Sequence, residues 1–271
     1  MSRYIHGSHP EEQNRLSLLN ELINERCLEL IQLKKGERVI DIGSGLGQFT
    51  LAMAEKVGST GYCLGIERDA EQLRVAVANR SRLTRTAAID FRSGDATNLM
   101  LAEKEIASFD VGHIRFVLEH LSNPLQALNE LVKAIKPGGR IVLEDDDHAS
   151  FILFPEPPGF SIVWNAYMRS YDCLGNDPYI GRRLVALLHE VGLKSIRNDL
   201  IFFGDCAGSE TFDSYVSNLI GVIKTAYPTM IENNLITSEV FKESISQLEK
   251  WSEIPYAALW YQICWAEGRK E

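Results

Sequence analysis

At 271 residues, with 45% hydrophobic and 24% charged side chains, the chain is long enough to bury one large core and has the make-up of an ordinary globular protein. The formal net charge of −9 excludes a broad nucleic-acid footprint, which needs clustered Lys and Arg, and no apolar run is long enough to cross a bilayer. The start, Met1 to Gln13, lacks the apolar stretch of a signal peptide, and the five scattered cysteines form no C-x-x-C pair, so a cytoplasmic protein without a disulfide framework or a zinc site is expected.

The first predicted element is an amphipathic helix from Ser8 to Leu33. Ser8-His9-Pro10-Glu11 has capping-box spacing, and Leu16, Leu19, Ile23, Cys27 and Leu30 recur at steps of three or four. Lys34-Lys35-Gly36 ends it. From Arg38 strands and helices alternate: strand Arg38–Ile42, helix Gln48–Val57, strand Tyr62–Glu67, helix Ala70–Leu83, strand Ile89–Ser93, strand Phe109–Ile114, helix Pro124–Ile135, strand Arg140–Asp145. Short apolar strands separated by helices predict a parallel sheet covered on both faces.

After Asp147 the rhythm breaks. Pro155, Pro157, Pro158 and Gly159 mark a loop, followed by an aromatic helix carrying Trp164, Tyr167 and Tyr171 and a helix over Tyr179–Val191. Ser195–Phe203 is a sixth strand, Ser209–Thr225 and Ser238–Trp251 are inserted helices, and Ala257–Trp265 is a long last strand returning beside the sixth. The organisation expected is an N-terminal segment over residues 1–35, then one α/β domain over 36–271 with helical cap insertions at about 151–180 and 209–252.

The segment Val39-Ile40-Asp41-Ile42-Gly43-Ser44-Gly45-Leu46-Gly47-Gln48 runs from a strand through a glycine-rich turn into a helix. Glycines there admit positive φ and close approach of a ligand, which in open α/β sheets lies beyond the carboxyl ends of the strands. The dinucleotide fingerprint is G-x-G-x-x-G; this loop is G-x-G-x-G with Gln48 in the last place. Asp41 would repel a pyrophosphate but attract the ammonium and sulfonium of S-adenosylmethionine. Glu67, at the end of the second strand, can accept both ribose hydroxyls. Asp95, after the third strand, can accept from the adenine amine, with the Ala96 amide on a ring nitrogen.

These residues resemble the class I S-adenosylmethionine-dependent methyltransferases over roughly Glu37 to Phe203. Phe109-Asp110-Val111 with Phe116-Val117-Leu118-Glu119-His120-Leu121 resembles the family's fourth strand and following motif, and Lys136-Pro137-Gly138-Gly139-Arg140 lies within the stretch resembling its fifth. A finer likeness is to the ubiquinone/menaquinone-type and antibiotic-tailoring small-molecule enzymes: Tyr4-Ile5-His6-Gly7-Ser8 with Glu12-Gln13-Asn14-Arg15-Leu16 resembles their cofactor-covering segment, and Ile180-Gly181-Arg182-Arg183-Leu184 resembles a stretch of their substrate half. The resemblance implies a Rossmann-like sheet of seven strands, mostly parallel with an antiparallel last strand. It also implies a cofactor site of Tyr4, Asp41, Gly43, Ser44, Gly45, Gly47, Glu67, Arg68, Gln72, Asp95, Ala96, Arg115, Phe116 and His120. Arg115 has two readings, contact with the methionine portion or a surface salt bridge.

Methyl transfer needs alignment and a dry pocket more than fixed catalytic groups, so no triad is required. Candidate bases are His120 and His148, with His120 placed nearer the methyl; Asp145, Asp146 and Asp147 are the carboxylate candidates. The run Glu144-Asp145-Asp146-Asp147 invites a metal, but adjacent strand residues face opposite ways, so it is taken as a solvated strand end and no metal is expected. Trp260 and Trp265 are expected in the core, while Trp164, Tyr167 and Tyr171 suit either core or pocket. The expected function is methyl transfer from S-adenosylmethionine to an O, N or C nucleophile of a small molecule by a monomer or homodimer. The rivals are a cofactor-binding regulator without turnover, a nicotinamide oxidoreductase and an RNA methyltransferase.

Overall fold

The computed structural model describes residues 10–80 and 88–271, with side chains from residue 13 onward. Five parallel strands form the body of one sheet: β1 (Arg38–Ile42), β2 (Tyr62–Glu67), β3 (Ala88–Ser93), β4 (Phe109–Arg115) and β5 (Ile135–Asp146), in the spatial order β3-β2-β1-β4-β5. The last strand, β8 (Ala258–Arg269), runs antiparallel beside β5, pairing Asp146 with Ile263 and Arg140 with Arg269. Its other edge pairs with β7 (Lys194–Cys206) from Arg197↔Glu267 to Cys206↔Ala258, the hairpin-like return that the sequence predicts. A short eighth strand, β6 (Ile152–Phe154), prolongs the line of β5 along the same edge of β8. The expected count of seven strands is therefore exceeded by one, because three residues are too few to show a periodicity.

Strand alternation divides the core in two. Val39, Val111 and Val142 point toward α1 (Pro10–Ile31) and α2 (Gln48–Val57), where they meet Ile23, Cys27, Phe49 and Met53. Ile40, Ile114, Ile141 and Leu143 point the other way, onto Leu128 and Leu131 of α4 (Pro124–Ala134) and Leu184 and Leu188 of α6 (Leu184–Glu190). α4 begins as its sequence dictates, with Pro124 in the first turn and Asn123 accepting the Gln126 amide. The remaining helices are α3 (Ala70–Arg80), α5 (Phe160–Asp172), α7 (Phe212–Thr225), α8 (Tyr227–Glu232) and α9 (Ser238–Trp251). α7 packs on α1 and β7, and α5 on α8 and α9. No helix among the described residues is long and apolar enough to cross a membrane.

Of the two tryptophans expected in the core, Trp265 is buried but Trp260 is 41% exposed. The reason is the two-residue period: Leu259, Tyr261, Ile263 and Trp265 share the covered face of β8, and Trp260 faces the other way beside exposed Ile152 and Phe202. Helix α3 is described only to Arg80, and its expected end at Leu83 lies outside the described residues, as do Ser8 and the whole segment around Tyr4.

Candidate functional site

A cavity of about 460 Å³ opens beyond the carboxyl ends of the parallel strands. Its outer end is the glycine loop. Gly43, Gly45 and Gly47 all sit at positive φ, which a side chain disfavours. Their duties differ. A Cβ on Gly43 would lie 2.3 Å from Val117 Cγ2, and one on Gly47 would lie 2.7 Å from the Phe91 ring, so these two let the loop pack against its own fold. A Cβ on Gly45 would meet only Gln72 Oε1, at 3.3 Å; this glycine borders the open cavity. The loop is held by the Gly43 and Ser44 amides donating to the Ile66 carbonyl at 2.8 and 3.0 Å.

Glu67 stands across the loop. One carboxylate oxygen accepts the Gly45 amide at 2.9 Å and the other the Asp69 amide at 2.7 Å. Burial pushes its pKa up, against the pull of these backbone amides. Asp69 caps α3 by accepting the Gln72 amide, which places buried Gln72 at the cavity wall, while Arg68 lines the rim and is exposed. Asp95 accepts the Thr97 amide and hydroxyl, and the Thr97 contact holds its carboxyl below the usual range. Asp95 and Ala96 border the same cavity, as does Phe116, whose φ of 54° turns the chain sharply at the end of β4.

Behind the loop lies a strip of buried polar groups that alternation places on the α1 side of the sheet. Asp41 and His113 are register partners on β1 and β4, and Arg115 and Glu144 are partners on β4 and β5. Asp41 accepts from Thr50 Oγ1 and contacts His113 Nδ1 at 2.7 Å. On the far side of the His113 ring, Nε2 is 3.7 Å from Glu144. Burial favours neutral imidazole, but Asp41, seconded by Glu144, outweighs it and raises the His113 pKa to about 9. Among the described residues Arg115 forms no surface salt bridge; its acidic neighbour is Glu144, 3.9 Å away and fully buried. Arg115 is half-buried, stacked 3.9 Å from the Phe49 ring centre, and donates to Asn20 and Asn24 of α1. It ties α1 to the sheet while still lining the cavity.

The inner end of the cavity is aromatic and acidic. His148 is walled by Trp164, Tyr167, Tyr171 and Tyr261, with ring centres 5.1–6.1 Å away. Its Nε2 is 3.2 Å from Glu119 and its Nδ1 is 2.9 Å from the Tyr261 hydroxyl. Glu119 also meets His120 at 3.3 Å, and the His120 ring stacks on Tyr171. Burial opposes ionisation of Glu119, yet the two imidazoles hold its pKa below the usual carboxylate value. Burial, reinforced by the Glu119 charge, pushes Asp146 up to about 7.

The expectation of a solvated strand end at 144–147 is overturned. Glu144 and Asp145 are fully buried, and Asp147 nearly so. The alternation argument itself holds: Glu144 and Asp146 point toward the cavity side, Asp145 accepts the Leu118 amide, and Asp147 takes a bidentate contact from Arg182. The stretch Ile180–Leu184 thus braces the back of β5, with Gly181 packed on the Asp145 and Asp146 backbone, and does not line the cavity.

One cavity therefore gathers Asp41, Gly43, Ser44, Gly45, Glu67, Arg68, Gln72, Asp95, Ala96, Arg115, Phe116 and His120. Gly47 supports the loop from behind, and Tyr4 lies outside the described residues. Sequence reasoning missed His113, whose only signal was its place opposite Asp41. It also missed Tyr261, hidden in the last strand, and Asn218, which meets Arg15 of the covering stretch across α1 and α7 at 2.9 Å over the cavity.

The fold and site define a Rossmann-like protein with an adenosyl-type pocket at the end of its first strands. Residues 33–157 match the profile of a methyltransferase domain family. The chain is 34% identical over 114 residues to the chloroplastic 2-phytyl-1,4-beta-naphthoquinone methyltransferase of Arabidopsis thaliana, covering 41% of this chain and 42% of that protein. It is 28% identical over 147 residues to the demethylmenaquinone methyltransferase of Listeria monocytogenes, covering 54% and 57%. The chain thus spans about half the length of these relatives. Among solved structures, a phosphoethanolamine N-methyltransferase from Haemonchus contortus bound to S-adenosylhomocysteine superposes with a TM-score of 0.53 at 16% identity, over 95% of this chain and 52% of that one. Residues 33–157 are accordingly a methyltransferase domain of the class I S-adenosylmethionine-dependent kind, resembling the menaquinone-type enzymes. The residues present fit that cofactor: Gly45 leaves its side of the cavity free, and the Ser44 hydroxyl is buried there with no hydrogen-bond partner.

Proposed function

We propose that this protein transfers a methyl group from S-adenosylmethionine to a small, planar acceptor held at the inner end of the cavity. The observation that carries the reading is the continuity of one cavity from the Gly45–Glu67 contact to the wall of Trp164, Tyr167 and Tyr171. Bound at the glycine loop, the cofactor would supply a methyl carbon already activated for in-line displacement. Glu67 and Asp95 would orient its nucleoside end; the quinone-named relatives and the aromatic wall favour a ring-bearing acceptor.

The chain's own contribution is position and dryness. Arg15, Leu16 and Leu19 from α1 and Leu219 and Val222 from α7 cover the cavity, and α5 closes its inner end. Where the acceptor must lose a proton, His120 is the group placed to take it, its imidazole held by Glu119 and Tyr171. The dinucleotide alternative is disfavoured by Gln48, which stands where that fingerprint has its last glycine.

The test is transfer of labelled methyl from S-adenosylmethionine across a panel of phenols, quinols and amines. A labelled product supports the reading. Absence of product over the whole panel, in protein that binds the cofactor, would favour a binding protein without turnover.

A further inference from the structure

We infer that Glu119, Asp146 and His148 form a divalent-metal site at the inner end of the cavity. The three come from separate places: the turn after β4, the end of β5 and the turn that follows it. One carboxylate oxygen of each acid and one imidazole nitrogen lie within 4.8 Å of one another, and Glu119 Oε2 stands 3.2 Å from His148 Nε2. Two ligands about 2.1 Å from a shared ion lie about 3.0 Å apart when adjacent and about 4.2 Å apart when opposite, so a pair at the 4.8 Å limit would take opposite positions after closing by about 0.6 Å. A carboxylate torsion covers that distance.

Two further observations point to a ligand here. Asp146 Oδ1 is buried and takes no hydrogen bond, while the Tyr261 hydroxyl sits between His148 Nδ1 and the Asp146 carboxyl. His148 is also oriented as metal-bound imidazoles are: Nδ1 is held by the Tyr261 hydroxyl, which leaves Nε2 directed at the acids. The Trp164 indole, donating to the His148 carbonyl at 2.8 Å, fixes the backbone beneath it.

One nitrogen and two oxygens suit Mn²⁺, Fe²⁺ or Zn²⁺ better than Ca²⁺, which takes six to eight oxygens. Three protein ligands leave coordination positions open to the cavity. An oxygen of the acceptor would fill one of them; that role rests on the methyl-transfer reading, whereas ion binding does not.

The experiment titrates the chelator-treated full chain with Mn²⁺, following free ion by electron paramagnetic resonance and quenching of tryptophan fluorescence, since the Trp164 ring lies 5.6 Å from His148. S-adenosylmethionine affinity is measured in the same samples. One saturable ion per chain is expected, weakened more than about tenfold in Asp146→Asn and His148→Gln. Mn²⁺ should raise the melting temperature of the wild type and leave that of Asp146→Asn unmoved. Glu119→Gln is read in the same way should either variant fail to fold. No saturable binding of Mn²⁺ or Zn²⁺ at millimolar concentration, or wild-type binding by folded Asp146→Asn, overturns the site. A response to tetramethylammonium but not to either metal also overturns it, marking the acids as an amine pocket. Cofactor binding without metal binding removes this inference alone; metal binding without cofactor binding removes the methyl-transfer reading alone.

Discussion

The two ends of the cavity are built from different materials. At the outer end the polar groups are satisfied locally and by backbone: Glu67 by the amides of Gly45 and Asp69, Asp95 by Thr97 two positions on, Asp69 by the first turn of α3. At the inner end they are satisfied by side chains from remote stretches of chain. His148 meets Glu119 across 29 positions and Tyr261 across 113, and Arg15 meets Asn218 across 203. A backbone-built end binds whatever shape its loop defines and tolerates change around it. An end built from side chains is free to vary with each acceptor, but it depends on the whole fold being in place. The same contrast separates the three loop glycines, of which Gly43 and Gly47 pack against the fold and Gly45 borders the open cavity.

This contrast can be broken at either end. The largest effect expected is from Gly45→Val, which puts a β-branched side chain at positive φ against the open cavity; cofactor affinity should fall by more than about a hundredfold, and the backbone strain of about 1–2 kcal/mol should lower the melting temperature by a few degrees. Calorimetry with the folded variant checks it, and wild-type affinity would show that the loop does not face the ligand. Next is Glu67→Ala, which removes the proposed acceptor for two ribose hydroxyls and frees the Gly45 and Asp69 amides. Hydrogen bonds to a charged group contribute about 1.5–3 kcal/mol each, so affinity should drop at least about tenfold.

The smallest effect concerns the buried strip between the two ends. The folded pKa of His113 is raised to about 9, above the ordinary value of about 6.5. Its protonated form is therefore favoured by folding, so the stability it adds is fully present below about pH 6.5 and is lost as pH rises toward 9. Melting temperature should decline over that window in the wild type, and His113→Gln should flatten the decline. A parallel decline in both proteins would show that His113 is not the group responsible.

Legibility in the sequence follows the same division. The order of strands and helices to Asp145 and the glycine loop were visible because apolar runs, glycines and strand-end acids report on local geometry. The aromatic helix was visible as an element, but whether its rings belonged to core or pocket was not; the structure makes Trp164, Tyr167 and Tyr171 both buried and cavity-lining. The acids at 144–147 misled because composition suggested solvent, whereas burial there is set by α1, β8 and the Arg182 turn, none of them near in sequence. Trp260 misled because membership of a strand says nothing about which face of it is covered.

The central claim is that this cavity is shaped for a sulfonium cofactor and not for a dinucleotide. Calorimetric titration of the wild-type chain with S-adenosylmethionine, S-adenosylhomocysteine and NAD tests it most directly. Saturable binding of the first two at one site per chain is expected, and none of NAD. Tight binding of NAD with no heat from either sulfur compound would contradict it.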